Sequence, residues 1–412
     1  MRILAIETSC DETGIAILET TGALGAISPR AQIKVLADVL VSQASIHAEY
    51  GGVFPAVARR EHAKNMMPLI IQALSEADLL RTPKNPRILG PKEKETLATI
   101  FHKEPELLEH FQTTLLGISV PAIDTIAVTS GPGLEPALWV GINTAQALGA
   151  LWGVPIMPVN HMEGHIMSSL LTPKPAQNGK KVFSLSVPHY PALALLISGG
   201  HTELVLIPRG GNYEILGQTR DDAVGEAFDK VARMLGLAYP GGPEISKLAE
   251  TAPRGQTLPE KLPRPMINSK DFDFSFAGLK TAVLYMVKKI PNLTPEIKAL
   301  IAKDFEDSVT EVLLAKTLAA AKKYKVHEII LGGGVSANAK IRSTFHTTIA
   351  RELPGVTLFL PDRTLSTDNG LMIGIVGLTR SARTQKTILA EGHLRLAKSA
   401  TKTLAELRKK KG

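Results

Sequence analysis

Two stretches of the chain repeat one pattern of apolar and polar positions. Residues 3–18 (ILAIETSCDETGIAIL) and 192–207 (ALALLISGGHTELVLI) each run from an apolar segment through a short polar or glycine-containing turn into a second apolar segment. Short apolar runs bounded by turn residues are typical of paired strands. Each stretch therefore predicts a β-hairpin.

A strand, a glycine-rich turn and a helix are predicted more than a hundred residues after each hairpin, at 124–149 and at 328–345. Two copies of one α/β unit predict two similar domains that face each other across a cleft. Glycine turns and helix N-termini favour phosphate groups, so such a cleft suits a phosphate-bearing ligand. On the pattern alone, two unrelated α/β domains with similar hairpins remain an alternative.

Three segments interrupt this pattern and are predicted to be surface insertions or loops. Residues 82–118 are charged, with early prolines and one helical stretch, and residues 172–190 show little periodicity. Residues 251–270 contain four prolines and several basic residues. The basic residues form a candidate rim for RNA: Arg254, Lys261, Arg264 and Lys270.

Composition narrows the class of protein. A chain of 412 residues predicts at least two domains. Its single cysteine, Cys10, excludes an intrachain disulfide and fits a reducing compartment. No apolar run approaches the roughly 18–20 residues that span a bilayer. The first residues, MRILAIETSC, run straight into a strand-like stretch rather than a signal peptide, so we expect a cytoplasmic location and no membrane contact.

The net charge of +8 is compatible with a polyanionic partner but does not require one. The basic run 408–411 is either a solvated tail or a nucleic-acid contact.

A pair of histidines is the first candidate for chemistry. His161 and His165 follow a strand-like run, and Asn160 before them is a good helix N-cap. The i, i+4 spacing places two imidazoles on one helical face, where they can bind one metal ion. A surface or core role is the alternative, and an acidic residue from elsewhere would have to complete a metal site.

The histidine pair is not that of a zinc peptidase. In the H-E-x-x-H helix a glutamate directly follows the first histidine and acts as the general base. Here Glu163 comes one position later, about 100° further round the helix. Gly164 is also a poor interior helix residue. The peptidase hypothesis fails on this geometry.

Other residues allow both a structural and a functional interpretation. Asp368 lies in a turn before an apolar helix, where aspartate is usually structural. The segment 332–338 (GGGVSAN) weakly matches a dinucleotide turn through Gly332, Gly334 and Ala337. Asp229 could cap a helix or bind a ligand hydroxyl. Asp11 and Glu12 are turn formers or an acid/base pair.

The motifs together resemble one family. ETSCDETGIAIL, SIHAEYGGVFPAVARREH, SGPGLEPALWVG, NHMEGH, LISGGHTELVLI, GEAFDKVARMLGL with YPGGP, FDFSFAGLKT, GGGVSAN and STDNG occur in this order. This set resembles the tRNA N6-adenosine threonylcarbamoyltransferases, called TsaD in bacteria and formerly glycoprotein endopeptidases. The resemblance covers nearly the whole chain apart from the three insertions, and Leu196 and His201 look bacterial.

The resemblance implies an α/β class and the duplicated, ribonuclease-H-like fold of the actin-like ATPases, which Hsp70 and sugar kinases share, with a cleft between the two domains. The first actin-like subdomain is expected at 1–155, with 372–412 packing back on it, and the second at 156–371. The insertions at 82–118 and 172–190 are unusual for bacterial members.

The resemblance also implies a reaction, in which a threonylcarbamoyl group passes from threonylcarbamoyl-AMP to N6 of the adenosine 3′ of the anticodon in ANN-decoding tRNAs. His161, His165 and Asp368 are implied as ligands of one divalent metal, Fe²⁺ in preference to Zn²⁺. Asp11 and Glu12 match the acidic pair needed for activity. Substrate contacts are implied for these residues: Ile197, Ser198, Gly199, Gly200, His201, Asp229, Gly242 and Asn338.

The expected partners are tRNA, a non-catalytic paralogue and a small P-loop ATPase. Two rival functions remain. If the chain were an ATPase or kinase of the same fold, the histidine pair would have no explanation. If it were a non-catalytic scaffold of the same complex, the pair would be expected to be absent.

Overall fold

The structure is a computed structural model, and it describes residues 1–21, 32–85, 87–209, 212–380 and 388–396. The strands are β1 (Arg2–Glu7), β2 (Glu12–Thr20), β3 (Gln32–Ser42), β4 (Thr125–Gly131), β5 (Ile156–Asn160), β6 (Leu171–Gln177), β7 (Lys180–Leu185), β8 (Ala192–Ile197), β9 (Thr202–Ile207), β10 (Glu214–Gln218), β11 (Glu328–Gly332) and β12 (Thr357–Phe359). The helices are α1 (Ala44–Ala48), α2 (Pro55–Glu76), α3 (Pro91–Ile100), α4 (Pro105–Leu115), α5 (Glu135–Trp152), α6 (His161–Ser169), α7 (Val224–Met234), α8 (Gly241–Glu250), α9 (Ala277–Lys289), α10 (Pro295–Tyr324), α11 (Ala339–Glu352) and α12 (Gly370–Thr379).

The chain forms two compact units. The first contains Met1–Ala44, Val53–Val187 and Asp368–Arg395, and the second contains Ser45–Gly52 and Pro188–Thr367. Residues 156–187 therefore cluster with the first unit, although the sequence places the boundary between subdomains at 155. The subdomain bounds 1–155 and 156–371 stay a prediction.

The first unit is built on a seven-stranded sheet with the order β5-β4-β1-β2-β3-β7-β6. β1 and β2 form the predicted antiparallel hairpin, and β4 pairs in parallel with β1 and with β5. Helices α2 and α5 pack on the sheet over a core that includes Ile6, Ile70 and Leu148.

Helix α12 lies late in the chain but packs against β2 of the first unit. A Cβ added to Gly370 would lie 2.6 Å from the backbone nitrogen of Ala16, and one added to Gly374 would lie 2.6 Å from Cδ1 of Leu18. Glycine thus lets α12 approach β2 at backbone distance. This approach holds Asp368, the residue two positions before the helix, within the first unit.

The second unit contains a five-stranded sheet with the order β10-β9-β8-β11-β12. β8 and β9 form the second predicted hairpin, and β11 pairs in parallel with β8 and β12. The core here includes Leu195, Phe228, Phe305 and Ile329.

The two sheets share one strand order. β5-β4-β1-β2-β3 of the first unit corresponds strand by strand to β12-β11-β8-β9-β10 of the second, with the same parallel and antiparallel pairs. Five strands that match in order and direction make a chance similarity of hairpins untenable. The predicted internal duplication is confirmed.

Two of the three predicted surface segments are structured. Residues 82–118 form two helices, α3 and α4, instead of one, and the side chains of Leu97, Phe101 and Phe111 are buried in the core of the first unit. Residues 172–190 contribute the β6–β7 hairpin to the edge of the sheet. The sequence predicted helix in the first segment but not its burial, and it did not predict the hairpin, because the apolar residues of both segments are few and are spaced by charged ones.

The third segment, 251–270, is irregular, as predicted, but not all of its basic residues are free. Arg264 forms ion pairs with Asp304 and Glu311 at 3.0 and 2.9 Å. Arg254, Lys261 and Lys270 are exposed. The RNA rim stays a prediction, and Arg264 has a structural role. The basic run 408–411 lies outside the described residues, and none of the described helices is long and apolar enough to cross a bilayer.

Candidate metal centre and glycine-rich turn

Helix α6 holds the histidine pair. Oδ1 of Asn160 accepts hydrogen bonds from the backbone N–H groups of Met162 and Glu163 at 2.9 and 3.3 Å, which confirms the predicted N-cap. The two imidazoles lie on one face with ring centroids 4.7 Å apart. The interior Gly164 also has a packing reason, because a Cβ there would lie 3.1 Å from Cγ of Met372 on α12.

Asp368 joins the two histidines from the other side. Its Oδ1 lies 3.3 Å from Nε2 of His161 and 3.2 Å from Nε2 of His165. One ligand atom from each of the three residues falls within 4.8 Å of the others. Asn369 fixes the turn because its Oδ1 accepts from the N–H of Met372 at 2.9 Å and caps α12.

His161 and His165 are buried and Asp368 is half-buried, and the charges of His161 and Asp368 act on each other. Burial alone would lower the pKa of His161, but the carboxylates of Asp368 and Glu7 raise it well above its usual value. Burial alone would raise the pKa of Asp368, and the neighbouring His161 holds it well below its usual range. The site thus favours an ionised Asp368 carboxylate beside a positive charge.

This donor set fits a divalent metal ion. Nε2 of His165 is buried and forms no hydrogen bond of acceptable geometry with any residue in the described ranges. A buried polar atom without such a bond is uncommon and needs a partner. Two imidazole nitrogens and one carboxylate oxygen are donors that Fe²⁺ and Zn²⁺ both accept. The cluster is compatible with a metal site that keeps further positions open.

Glu163 does not face this cluster as a catalytic base would. Its Oε2 forms an ion pair with the guanidinium of Arg380 at the end of α12. The carboxylate therefore ties α6 to α12, in agreement with the geometric argument against a peptidase.

Glu7, at the end of β1, was not singled out from the sequence, and it contacts a predicted metal ligand. Its Oε2 lies 3.2 Å from Nδ1 of His161 and accepts a hydrogen bond from Oγ1 of Thr129 at 2.6 Å. Its Oε1 accepts from the backbone N–H of Ser9 at 2.5 Å, and the residue has no exposed surface. A carboxylate at a buried strand end is a signal that could have identified it.

Asp11 and Glu12 lie in the turn between β1 and β2, and at the start of β2. Asp11 is buried and Glu12 is half-buried. Burial, the charge of Asp11 and the charge of Asp368 together raise the pKa of Glu12 to about 10. Burial and Asp11 also raise the pKa of the Cys10 thiol, so Cys10 is a poor nucleophile.

The predicted glycine turn of the second unit is tightly held. In the turn after β8, the N–H of His201 donates to Oγ of Ser198 at 3.1 Å, and the carbonyl of His201 accepts from the N–H of Ser198 at 2.9 Å. Gly333, with φ of +90°, lies so close that a Cβ would be 2.4 Å from the carbonyl oxygen of Ile197. The segment Ile197 to His201 thus lies beside the turn that follows β11.

Three further predicted substrate contacts meet at the start of α8. Oδ1 of Asp229 accepts a hydrogen bond from the backbone N–H of Gly241 at 2.7 Å. The helix that Asp229 caps is therefore α8 and not α7, on which it lies. Asn338 caps α11 and donates from Nδ2 to Oγ of Ser246 at 2.9 Å. Ser246 in turn donates to the carbonyl of Gly242 at 3.2 Å. The second unit brings Asp229, Gly242 and Asn338 together.

The weak dinucleotide match has a different geometry. A dinucleotide turn runs directly into a long helix. Here a 3₁₀-helix at Gly334–Ala337 follows β11, and α11 begins only after the cap at Asn338. A dinucleotide turn is therefore not formed.

Comparison with known proteins identifies the family to which this chain belongs. The family model described as TsaD, tRNA N6-adenosine threonylcarbamoyltransferase, matches residues 34–82 and 108–375. The chain belongs to the tRNA N6-adenosine threonylcarbamoyltransferase family. The resemblance inferred from the ordered motifs is confirmed, and with it the actin-like fold class.

Relatives that carry the family name align over almost the whole chain. A tRNA N6-adenosine threonylcarbamoyltransferase of Burkholderia lata is 40% identical over 389 residues, which cover 93% of this chain and 93% of that protein. One from Nitrosospira multiformis is 41% identical over 382 residues, which cover 92% and 91%. Among solved structures, T. kodakarensis HypF has a TM-score of 0.45 and 14% identity over 66% of this chain and 43% of that chain, too distant to bear on function.

Between residues 34 and 375, the match to the family model omits one segment. Residues 83–107 lie outside it, between the two matched parts. This gap falls within the predicted insertion at 82–118 and contains the whole of α3. The histidine pair, Asp368 and the substrate-contact positions of the second unit all lie within the matched residues.

Proposed function

We propose that this chain transfers the threonylcarbamoyl group from threonylcarbamoyl-AMP to N6 of the adenosine 3′ of the anticodon in ANN-decoding tRNAs. The N6 nitrogen forms a bond to the carbamoyl carbon, the bond from that carbon to the phosphate oxygen breaks, and AMP leaves with the electron pair. The mixed anhydride is already activated, so the protein has mainly to position the reactants and neutralise charge.

The observation that carries the proposal is the cluster of His161, His165 and Asp368 in a member of this family. An ATPase or sugar kinase of the same fold has no use for two buried imidazoles facing one carboxylate. A non-catalytic scaffold would gain nothing from burying these polar groups, which is unfavourable unless they are paired. We therefore place the transferase ahead of both rivals.

We propose Fe²⁺ as the ion at this cluster, with Zn²⁺ as the alternative. Two histidines and one carboxylate with open positions are typical of non-haem iron sites. When bound, such an ion supplies positive charge for the phosphate of the departing AMP. The chain's own residues fix the three donor atoms, through the caps at Asn160 and Asn369.

We assign the removal of the N6 proton to Asp11 rather than Glu12. A base must be ionised at the working pH, and the raised pKa of Glu12 keeps its carboxyl protonated near neutrality. Asp11 is buried next to it in the same turn. Glu12 then acts as a neutral hydrogen-bonding neighbour.

We assign the adenylate to the second unit, at the segment Ile197 to His201 and the group around α8. Apart from its neighbours in α8, no heavy atom of the described residues lies within 4 Å of where a Cβ on Gly242 would be, so its backbone is open to a ligand. Asn338 uses both its side-chain atoms within the protein, at Ile341 and Ser246. These hydrogen bonds fix Asn338 at the starts of α8 and α11, and Asp229 is fixed at α8 in the same way, so both are placed for the proposed contacts with the adenylate.

The family implies a tRNA substrate, and a non-catalytic paralogue and a small P-loop ATPase remain proposed partners. A cytoplasmic location is likewise proposed from the function.

The test is transfer of labelled threonine onto tRNA. Purified protein is mixed with pre-formed threonylcarbamoyl-AMP and an unmodified ANN-decoding tRNA, with and without the candidate partners. Label should enter the tRNA, and His161→Ala should abolish it. His189→Ala is the matched control, because that side chain is 86% exposed. If folded and metal-loaded protein transfers no label to the tRNA, either with or without the candidate partners, the proposal is overturned.

A further inference from the structure

We propose that Glu7 is a positioning residue that holds the His161 imidazole in the tautomer and orientation needed to bind the metal ion. The inference rests on the proposed metal site and extends it to a residue outside the ligand set. Glu7 ends β1, and His161 begins α6, so the contact joins the first strand of the sheet to the helix that carries the histidines.

The geometry around Glu7 leaves its carboxylate little freedom. Oε1 is occupied by the backbone N–H of Ser9, and Oε2 by the hydroxyl of Thr129. Oε2 also lies 3.2 Å from Nδ1 of His161. The side chain is fully buried, so water does not compete for these oxygens. A carboxylate fixed by two donors presents a constant acceptor to the imidazole.

The position of the proton on His161 follows from this arrangement. A carboxylate can only accept, so the ring nitrogen that faces it must carry the proton. With the proton on Nδ1, the neutral ring has its lone pair on Nε2. That nitrogen faces Asp368 and His165, where the metal would lie. Carboxylate–histidine pairs of this kind orient metal ligands and increase their basicity.

Ser9 does not provide the same control. Its Oγ lies 3.1 Å from Nδ1 of His161. A hydroxyl can donate or accept, so Ser9 is compatible with either tautomer. Glu7 is compatible with one only.

The test is the metal affinity of Glu7→Gln, measured by competition of the protein with a chelator for Zn²⁺ and, without oxygen, for Fe²⁺. If the glutamine amide group faces His161, it donates to Nδ1 and moves the proton to Nε2. If the side-chain amide is rotated by 180°, its NH₂ group faces the backbone N–H of Ser9, and two hydrogen-bond donors oppose each other. Either orientation should weaken metal binding by about 10- to 100-fold.

Two further variants separate positioning from folding. Thr129→Val removes one hydrogen bond to Oε2 and should weaken metal binding less than Glu7→Gln does. Glu19→Gln, on the neighbouring strand and paired with Arg2, is the matched control and should leave the affinity unchanged. In the Zn²⁺-loaded unsubstituted protein, the ¹⁵N shifts of the His161 ring should report a proton on Nδ1 and none on Nε2.

The outcomes are distinct. Equal metal affinities of Glu7→Gln and the unsubstituted protein would overturn this inference and leave the metal site intact. A folded unsubstituted protein that binds neither ion would overturn the metal site together with the inference. If Glu7→Gln does not fold, the affinity of Thr129→Val and the ring shifts of the unsubstituted protein decide.

Discussion

The backbone N–H of Gly225 donates to the carbonyl oxygen of Ser198 at 3.2 Å, so the start of α7 lies directly on the turn after β8. A Cβ at position 225 would be 2.7 Å from that oxygen and 2.8 Å from Cα of Gly199. Both are backbone atoms, which cannot move aside. We expect Gly225→Ala to displace the turn, lower the free energy of unfolding by roughly 1–3 kcal/mol and weaken binding of threonylcarbamoyl-AMP.

The control for this prediction is Gly278→Ala on α9, where, apart from its neighbours in the helix, no heavy atom of the part of the chain that the structure describes lies within 4 Å of the added Cβ. Alanine favours a helix over glycine by about 1 kcal/mol, so this variant should be slightly more stable. Urea unfolding and calorimetric titration with a non-hydrolysable adenylate check both variants. Equal affinity and stability of the two would show that the turn tolerates the displacement.

The acid/base assignment predicts unequal effects of two conservative changes. Asp11→Asn removes the proposed base and should lower the transfer rate by about a hundredfold or more. Glu12→Gln replaces a carboxyl that is already protonated and should lower it by less than about tenfold. Single-turnover transfer at pH 7 measures both. The opposite order would reassign the base to Glu12, and near-normal rates in both would remove the role from the pair.

Arg264 should contribute to stability rather than to RNA binding. It lies between Asp304 and Glu311 with a side chain only 17% exposed, so its loss leaves a half-buried carboxylate without its partner. Arg264→Ala should lower the free energy of unfolding by roughly 2 kcal/mol, measured in urea. Arg254→Ala, at an exposed position, should change it by less than about 0.5 kcal/mol. If the two variants unfold at the same urea concentration, the ion pairs are not stabilising.

Asp222 should stabilise the second unit at neutral pH, and this contribution should be lost at acid pH. Lys230 and Lys280 each approach its carboxylate to 2.8 Å. Burial alone would raise the pKa of Asp222, but these ammonium groups hold it below its usual value. A depressed pKa stabilises the fold above the unfolded pKa of about 3.9, and this contribution is lost as the pH falls further.

Asp222→Asn should therefore be less stable by roughly 1 kcal/mol at pH 7. The difference should shrink below about pH 4. Thermal unfolding from pH 7 down to pH 3 checks this, and a difference that stays constant over the range would contradict the assignment.

The duplicated fold was predictable because both hairpins are short apolar runs around polar turns, and such runs are read from local pattern alone. The histidine pair was predictable for the same reason, since a helical spacing and an N-cap lie within six residues of each other. Asp368 as a third ligand came from the family resemblance only. Its turn looks structural in isolation, and only the packing of α12 on β2 brings it to the histidines.

The features that could not be predicted from the sequence depend on contacts between distant segments. Glu7 and His161 are joined by a hydrogen bond, but about 150 residues separate them in the chain. The burial of Phe101 and Phe111 likewise depends on the rest of the core of the first unit, not on the charged residues around them. Local pattern identifies elements, whereas tertiary contacts decide which of their side chains meet.

The discontinuity of the first unit has a consequence for the newly made protein. About 200 residues separate His165 from Asp368. At the usual rate of translation, about 5–20 residues per second, the ribosome needs roughly 10–40 seconds to synthesise them. During that interval the imidazoles and the face of β2 that α12 covers lack their partners from the C-terminal segment. The first unit, although its synthesis starts first, can be completed only after nearly all of the second unit has been translated.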